Sequence, residues 1–395
     1  MSAYILDWIS LIFRWLHVLA AIAWIGSSLK YVWIDNNLRK PPQWKADKGI
    51  KGDVWVIHGG GIYELQKYQV APAQMPQTLH WVKWESYTTW LTGFLLISVV
   101  YYSQTSSYLL AGDGLINSPG LAVAAGIAFL LANLAAYEGL IRTPLVNKGP
   151  VFAVTMAVFL LVSSYIAFAL FAPRAAALHV GAAIGTIMSG NVFFGIVPAQ
   201  KAFVKAIEAG QPPPEAKAAF AKLRSTHNNY LTLPVIMLMI SNHYPILYSH
   251  PWGWLLVIAV ALISAYARHF FNLRNQGITK PSILVVSVVC LIAVVVAAQM
   301  TAFKPVASAK GDLRVSDADA MAIVAEHCMG CHAAQPTSPG FLAPPAGVIL
   351  ETPKQTKAWQ ERIMAVAVQS QYMPLGNLTG MTEQQRHALG VWLQQ

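Results

Sequence analysis

The sequence predicts an all-α protein, a polytopic bundle of eight transmembrane helices followed by a small all-helical domain. Three observations predict it. The 395 residues are 55% hydrophobic and only 11% charged, against about 25% charged in a soluble protein. Eight apolar runs before residue 302 are long enough to cross a hydrocarbon core about 30 Å thick at about 1.5 Å per residue. From residue 310 the character changes: six Lys/Arg meet seven Asp/Glu, and the stretch Cys328-Met329-Gly330-Cys331-His332 appears.

The expected spans lie near 8–33, 85–103, 119–141, 151–172, 175–198, 229–249, 252–272 and 282–301. The first has no basic leader, carries Asp7 ahead of its apolar stretch, and continues to Trp33 without a cleavage site. It is therefore expected to stay as a span and not to be removed as a signal peptide. The net charge of +10 falls in the loops of the membrane part. Arg39, Lys40, Lys45, Lys48, Lys51, Lys67 and Lys83 lie in 34–84, Arg142 and Lys148 in 142–150, five more in 199–227, and Arg268, Arg274 and Lys280 near 268–281. The alternate loops carry none in 104–118, only Arg174 in 172–175, and none in 249–252. The positive-inside rule then makes the basic loops cytoplasmic and puts both termini outside, as in a bacterial inner membrane protein. Basic residues confined to loops between spans argue against nucleic-acid binding.

Domain limits follow. Residues 1–301 are expected to form the membrane domain, 302–315 a linker, and 316–395 the C-terminal domain. The long loop 34–84 contains Asp53–His58 and Ile62–Tyr68 around Gly59-Gly60-Gly61, the pattern of a β-hairpin with a glycine turn. Residues 199–227 read as two short amphipathic helices broken at Pro212-Pro213-Pro214 and lying at the interface. In the C-terminal domain, Ser316 caps a helix ending at the cysteine motif, and a second helix spans about 354–370. Thr382 with Gln385 makes a capping box for a last helix through Trp392.

Cys-x-x-Cys-His is the attachment pattern of a c-type haem. Two thiols at that spacing form thioethers to the vinyl groups, and the adjacent His332 places a ring nitrogen on the iron. Met373, in Tyr372-Met373-Pro374, is the expected sixth ligand. His/Met ligation raises the reduction potential. The cofactor residues are thus Cys328, Cys331, His332 and Met373, in a class I cytochrome c domain. A zinc site would need two more ligands, and the one other cysteine, Cys290, lies in an apolar run and is expected to be buried. A backbone carbonyl is expected to accept the Nδ1–H of His332 and fix its ring. Haem c is attached on the outer side of the membrane, which agrees with the charge topology.

Ionisable residues inside spans are functional candidates. Arg14, His17, His179 and His243 all fall in the outer half of the bundle. They admit three readings: histidine ligands of an additional membrane haem b, the lining of a polar substrate cavity, or separate side chains satisfied by their neighbours. A second group lies at the inner end: His58, His80, Lys83, Glu85, Glu138, Arg142, His227, Arg268 and His269. There, Glu85 and Glu138 are each either a general base or the ion-pair partner of Lys83 or Arg142.

At Arg14-Trp15-Leu16-His17, at His58-Gly59-Gly60-Gly61-Ile62-Tyr63-Glu64 and at His80-Trp81-Val82-Lys83-Trp84-Glu85, the chain resembles the membrane-bound bacterial urate oxidases (urate hydroxylases). These join an eight-span N-terminal domain to a C-terminal cytochrome c. The resemblance implies conversion of urate to 5-hydroxyisourate in purine degradation. Electrons would leave through the chain's own haem c towards a soluble cytochrome or a terminal oxidase, without peroxide. It does not assign the substrate residues. The residues alone leave other readings open: an electron-transfer subunit docking a separate dehydrogenase, a quinol-oxidising variant, and a transporter with a redox-regulated tail. No clear internal repeat supports the last.

Overall fold

A backbone in lipid must satisfy its own polar groups, and an apolar run does so by closing into a helix. The computed structural model describes residues 3–111, 114–302, 314–338, 341–370 and 372–395, and most of them are helical. Up to residue 302 the main helices are α1 (Ala3–Asn37), α2 (Trp84–Ile97), α3 (Pro119–Leu140), α4 (Gly149–Leu170), α5 (Pro173–Gly190), α6 (Val197–Glu208), α7 (Glu215–Ser241), α8 (Gly253–Asn275) and α9 (Ser282–Ala302). Proline stands in the first turn of α3, α4 and α5, where its missing N–H has no intrahelical partner to lose.

Six of these runs are long and apolar enough to cross a membrane: α1, α3, α4, the continuous α5–α6 run Pro173–Glu208, α8 and α9. The other two expected spans are helices of different character. The α2 helix has 14 residues and is prolonged by a π-helical turn, Ser98–Tyr102. The 27 residues of α7 open with a charged segment and turn apolar only in their second half.

Lipid is as apolar as leucine, so helices in it associate through close packing more than through burial from water. Helix α5 supplies that closeness with buried Ala175, Ala176, Ala177, Ala183 and Gly190, and it packs against α3, α4 and α7. At Gly181 a Cβ would lie 3.0 Å from the Leu238 Cβ. The outward faces of α1, α4 and α9 are apolar and exposed, with Val285, Val288, Ile292 and Val295 on α9, as a lipid-facing surface requires. Cys290 corrects the expectation of burial: it is exposed on this face of α9. That helix is apolar all round, so its sequence gives no phase to tell inside from outside.

The expected hairpin is present as β1 (Ile50–His58) and β2 (Gly61–Tyr68), antiparallel, with His58 opposite Gly61. Gly59 and Gly60 turn the chain at φ +56° and +79°. Lys45 is 4% exposed and bonds Asp53 and Glu64, while Arg39 and Asp53 exchange backbone hydrogen bonds that tie β1 to the chain following α1. The 199–227 segment departs from the expected surface pair. Its first helix is the continuation of α5 through a π-helical turn, Asn191–Ile196. Its second is the start of α7, which turns Arg224 inward to 1% exposure.

After residue 314 a second apolar cluster forms from Ala320, Val324, Leu350, Ile363, Leu389, Trp392 and neighbours. Helix α10 (Asp317–His327) is capped by Ser316, whose Oγ accepts from the Asp319 N–H at 3.1 Å. Helix α11 (Glu383–Gln394) opens with the Thr382/Gln385 capping box and packs on α10. The Trp392 indole donates to Asp317 at 2.7 Å. The expected helix over 354–370 is broken at Trp359 into Pro353–Ala358 and Gln360–Ile363, then a π-helical turn. Most of the expected linker, 303–313, lies outside the described residues.

Because Cys290 is exposed and unbridged, Cys290→Ser should change stability by less than about 0.5 kcal/mol. Thermal unfolding of the two proteins in the same detergent checks this.

Candidate functional site

The cysteine motif occupies a single turn, Met329–His332, directly after α10. The His332 N–H bonds the Cys328 carbonyl at 2.9 Å, which brings the two cysteines and the histidine onto one face of that turn. The His332 Nδ1–H donates to the Val348 carbonyl at 3.1 Å. Val348 is thus the carbonyl the sequence could not identify, and the bond leaves the Nε2 lone pair available to a metal. Cys328 and Met373 pack against the same apolar cluster. Burial pushes the Cys328 thiol up to about 11, with Cys331 adding and Arg386 opposing.

Met373 is held at both backbone groups. Its N–H donates to the Val366 carbonyl at 2.7 Å. Its carbonyl accepts from Arg386 at 2.6 Å, and the same guanidinium bonds the Ala367 carbonyl at 2.5 Å and Asn377 at 3.3 Å. Arg386 is 3% exposed. It is a positioning residue that sequence reading missed, since one arginine in an amphipathic helix looks like surface. The residues present therefore fit a covalent haem: paired cysteines, one oriented imidazole, and a thioether on a fixed loop.

The outer candidates in the bundle do not converge. His179 is fully buried. Its Nδ1–H donates to the Ala175 carbonyl at 2.8 Å, Nε2 accepts from the Tyr102 hydroxyl at 3.1 Å, and Phe171 stacks on the ring at 4.5 Å. Gly126 allows this arrangement, because a Cβ there would lie 2.7 Å from the Tyr102 hydroxyl. With both nitrogens engaged, His179 does not fit as a haem ligand. His17 donates from Nδ1 to the Thr89 carbonyl at 3.0 Å and packs over Gly93. Arg14 and His243 are exposed and lie within electrostatic reach of each other. Among the described residues no group of three or more His, Cys, Asp or Glu side chains is placed to hold a metal ion.

The inner candidates divide. His58 and His80 are exposed, away from the bundle core. Lys83 lies over the rings of Trp81 and Trp84 at 5.6 and 5.4 Å, and Glu85 has a buried oxygen, Oε2, without a hydrogen-bond partner. Tyr230 hydrogen-bonds His269 at 2.7 Å, and Arg268 donates to Asn229 at 3.2 Å. Glu138 pairs with Arg142 at 2.8 Å, as the ion-pair reading expected, and also with buried Arg224 at 2.5 and 2.8 Å. Arg224 donates further to Asn191, which donates to Tyr137 and Asn228, and Tyr137 meets His227 Nδ1 at 2.9 Å. Gly195 makes room for Arg224, since a Cβ there would overlap its Cδ.

Among the described residues, the bundle meets the C-terminal segment at Tyr372 and at Gly376. Tyr372 meets Tyr248 edge-on with ring centroids 5.5 Å apart. A Cβ at Gly376 would lie 3.5 Å from the Leu110 carbonyl oxygen, so the Leu375–Asn377 turn sits on the chain after α2. The segment around Tyr372 and Gly376 is therefore seated at the end of the bundle that carries Ser106, Leu110 and Tyr248.

Glu138→Gln should destabilise the protein by about 3 kcal/mol or more, because it strands the buried Arg224 charge. Adding Arg224→Met should recover most of that loss. Thermal unfolding in detergent reads both.

A family model described as urate oxidase N-terminal matches residues 3–299. No curated protein and no solved structure matches the chain. The match covers α1 to α9, including the hairpin and the Glu138–Arg224 network, and stops before the cysteine motif. On that extent, the chain belongs to the urate oxidase N-terminal family.

Proposed function

We propose that this chain is a membrane-bound urate oxidase (urate hydroxylase) that passes its electrons through a haem c carried on its own C-terminal segment. One observation carries the reading. A urate oxidase family region is continuous with a Cys-x-x-Cys-His segment whose histidine ring is already oriented, and that segment is seated on the bundle through Tyr372.

The net reaction balances without oxygen. Urate monoanion and water give 5-hydroxyisourate, one proton and two electrons. The oxygen atom comes from water, and peroxide is not a product. A haem c held by Cys328, Cys331, His332 and Met373 would take the electrons one at a time and hand them to a soluble cytochrome or a terminal oxidase. The protein's own part is positional. Val348 holds the His332 ring, and Arg386 with Val366 holds the Met373 backbone. No membrane haem b is included, because His179 has no nitrogen to give.

The working architecture is an eight-helix membrane bundle over residues 1–301, in which α2 and α7 complete the six long apolar helices. A linker over 302–315 and a cytochrome c domain over 316–395 follow. The basic loops face the cytoplasm and both termini face the outer side of a bacterial inner membrane.

Purified full-length protein given urate without oxygen should reduce its haem, seen at the haem absorption band. A haem that stays oxidised sinks the reading, and an electron-transfer subunit docking a separate dehydrogenase would behave that way. Met373→Ala should leave the haem attached and lower its reduction potential. Arg386→Met should shift the potential in the same direction by less, since it loosens the Met373 loop without removing the sulfur. Potentiometric titration measures both.

A further inference from the structure

Buried Arg224 and half-buried Arg174 are partnered differently. Arg224 is neutralised by Glu138 in a two-bond pair. Arg174, at the opposite end, has no carboxylate partner among the described residues, although the buried Nε of each arginine lacks a hydrogen-bond partner. A guanidinium left unpaired in a low-dielectric setting is costly unless something anionic completes it.

Its surroundings are phenolic. Tyr108 lies under the guanidinium at 5.6 Å, edge-on to Tyr101 at 6.0 Å. Tyr101, Tyr248 and Tyr372 are all within electrostatic reach of Arg174. Tyr101 is 3% exposed, and its hydroxyl has no hydrogen-bond partner. In the turn that carries Tyr248, Asn242 Oδ1 and Ser249 Oγ are buried and also without partners. Arg14 adds a second positive charge near Tyr101, and exposed Asp7 a negative one near Tyr108.

We infer that Arg174 and the four tyrosines around it, Tyr101, Tyr108, Tyr248 and Tyr372, form the binding site for the flat anionic substrate, at the seam between the bundle and the C-terminal segment. The inference rests on the urate reading and deepens it. Guanidinium and phenol groups supply charge and donors, the amide oxygen of Asn242 supplies an acceptor for a ring N–H, and the tyrosine rings supply stacking faces. The site adjoins the cysteine motif: Cys331 is within electrostatic reach of Tyr108, and Tyr372 is the neighbour of Met373. A substrate here would stand beside the electron acceptor with no intermediate carrier, and would enter from the side on which the C-terminal segment lies.

Urate binding to full-length holoprotein, reduced beforehand with dithionite so that no turnover occurs, is measured by anaerobic equilibrium dialysis. Arg174→Gln should weaken binding at least about tenfold, with partial recovery in Arg174→Lys. Tyr101→Phe should weaken it about threefold while keeping the fold. If Arg174→Gln does not fold, Tyr101→Phe decides alone. Wild-type protein that oxidises urate while both variants bind it with unchanged affinity overturns the site and leaves the urate reading standing. Unchanged urate affinity with lowered haem content or a shifted potential in Arg174→Gln assigns the arginine to a haem carboxylate and also overturns the site. Wild-type protein that neither binds nor oxidises urate overturns the urate reading itself, and the site with it.

Discussion

The contact of Tyr372 with Tyr248 is the constraint on which the rest depends. Electron transfer weakens steeply with distance, so a bundle that oxidises a substrate is useful only if its acceptor is held close. Here Tyr372, which is seated against the bundle, and Met373, the proposed iron ligand, are consecutive in the chain. Tyr372 packs on the membrane core, while Met373 packs on the C-terminal core. Any movement of one cluster relative to the other would act directly on the Met373 loop. Arg386 restrains that loop from within by bonding three of its neighbouring acceptors.

Buried charge separates the two ends of the bundle. Glu138 and Arg224 neutralise each other, and Asn191, Asn228, Tyr137 and His227 extend the hydrogen-bond network around them, with only the Arg224 Nε of that pair left without a partner. Such a network is stable as it stands and fixes how α3, α5 and α7 meet. At the outer end Arg174 and the Tyr101 hydroxyl are left incomplete. Arg224 is thus paired with a carboxylate, whereas Arg174 has none among the described residues, which is why the anion site is proposed at Arg174.

Much of this was legible in the sequence where local chemistry decides structure. Ser316 and the Thr382/Gln385 pair mark helix starts, and Gly59-Gly60-Gly61 marks the hairpin turn. What stayed hidden depends on helix phase and tertiary contact. Arg224 reads as one more loop cation, yet α7 turns it inward against Gly195. Cys290 reads as core, yet α9 is nearly uniformly apolar around it and turns it outward. His17, His179 and His243 fall at similar depth, but depth does not say that their helices face one another, and they do not meet. Arg174 had a signal that went unused, as the single basic residue in outer loops otherwise free of positive charge.

The central claim is that both electrons from urate leave through the C-terminal segment. Its most direct measurement is stoichiometric: urate consumed by the purified chain in air, against reduction of added ferricytochrome c and formation of peroxide. The account predicts two acceptor molecules reduced for each urate and no peroxide. Peroxide formed in step with urate loss, with the added cytochrome left oxidised, would contradict it.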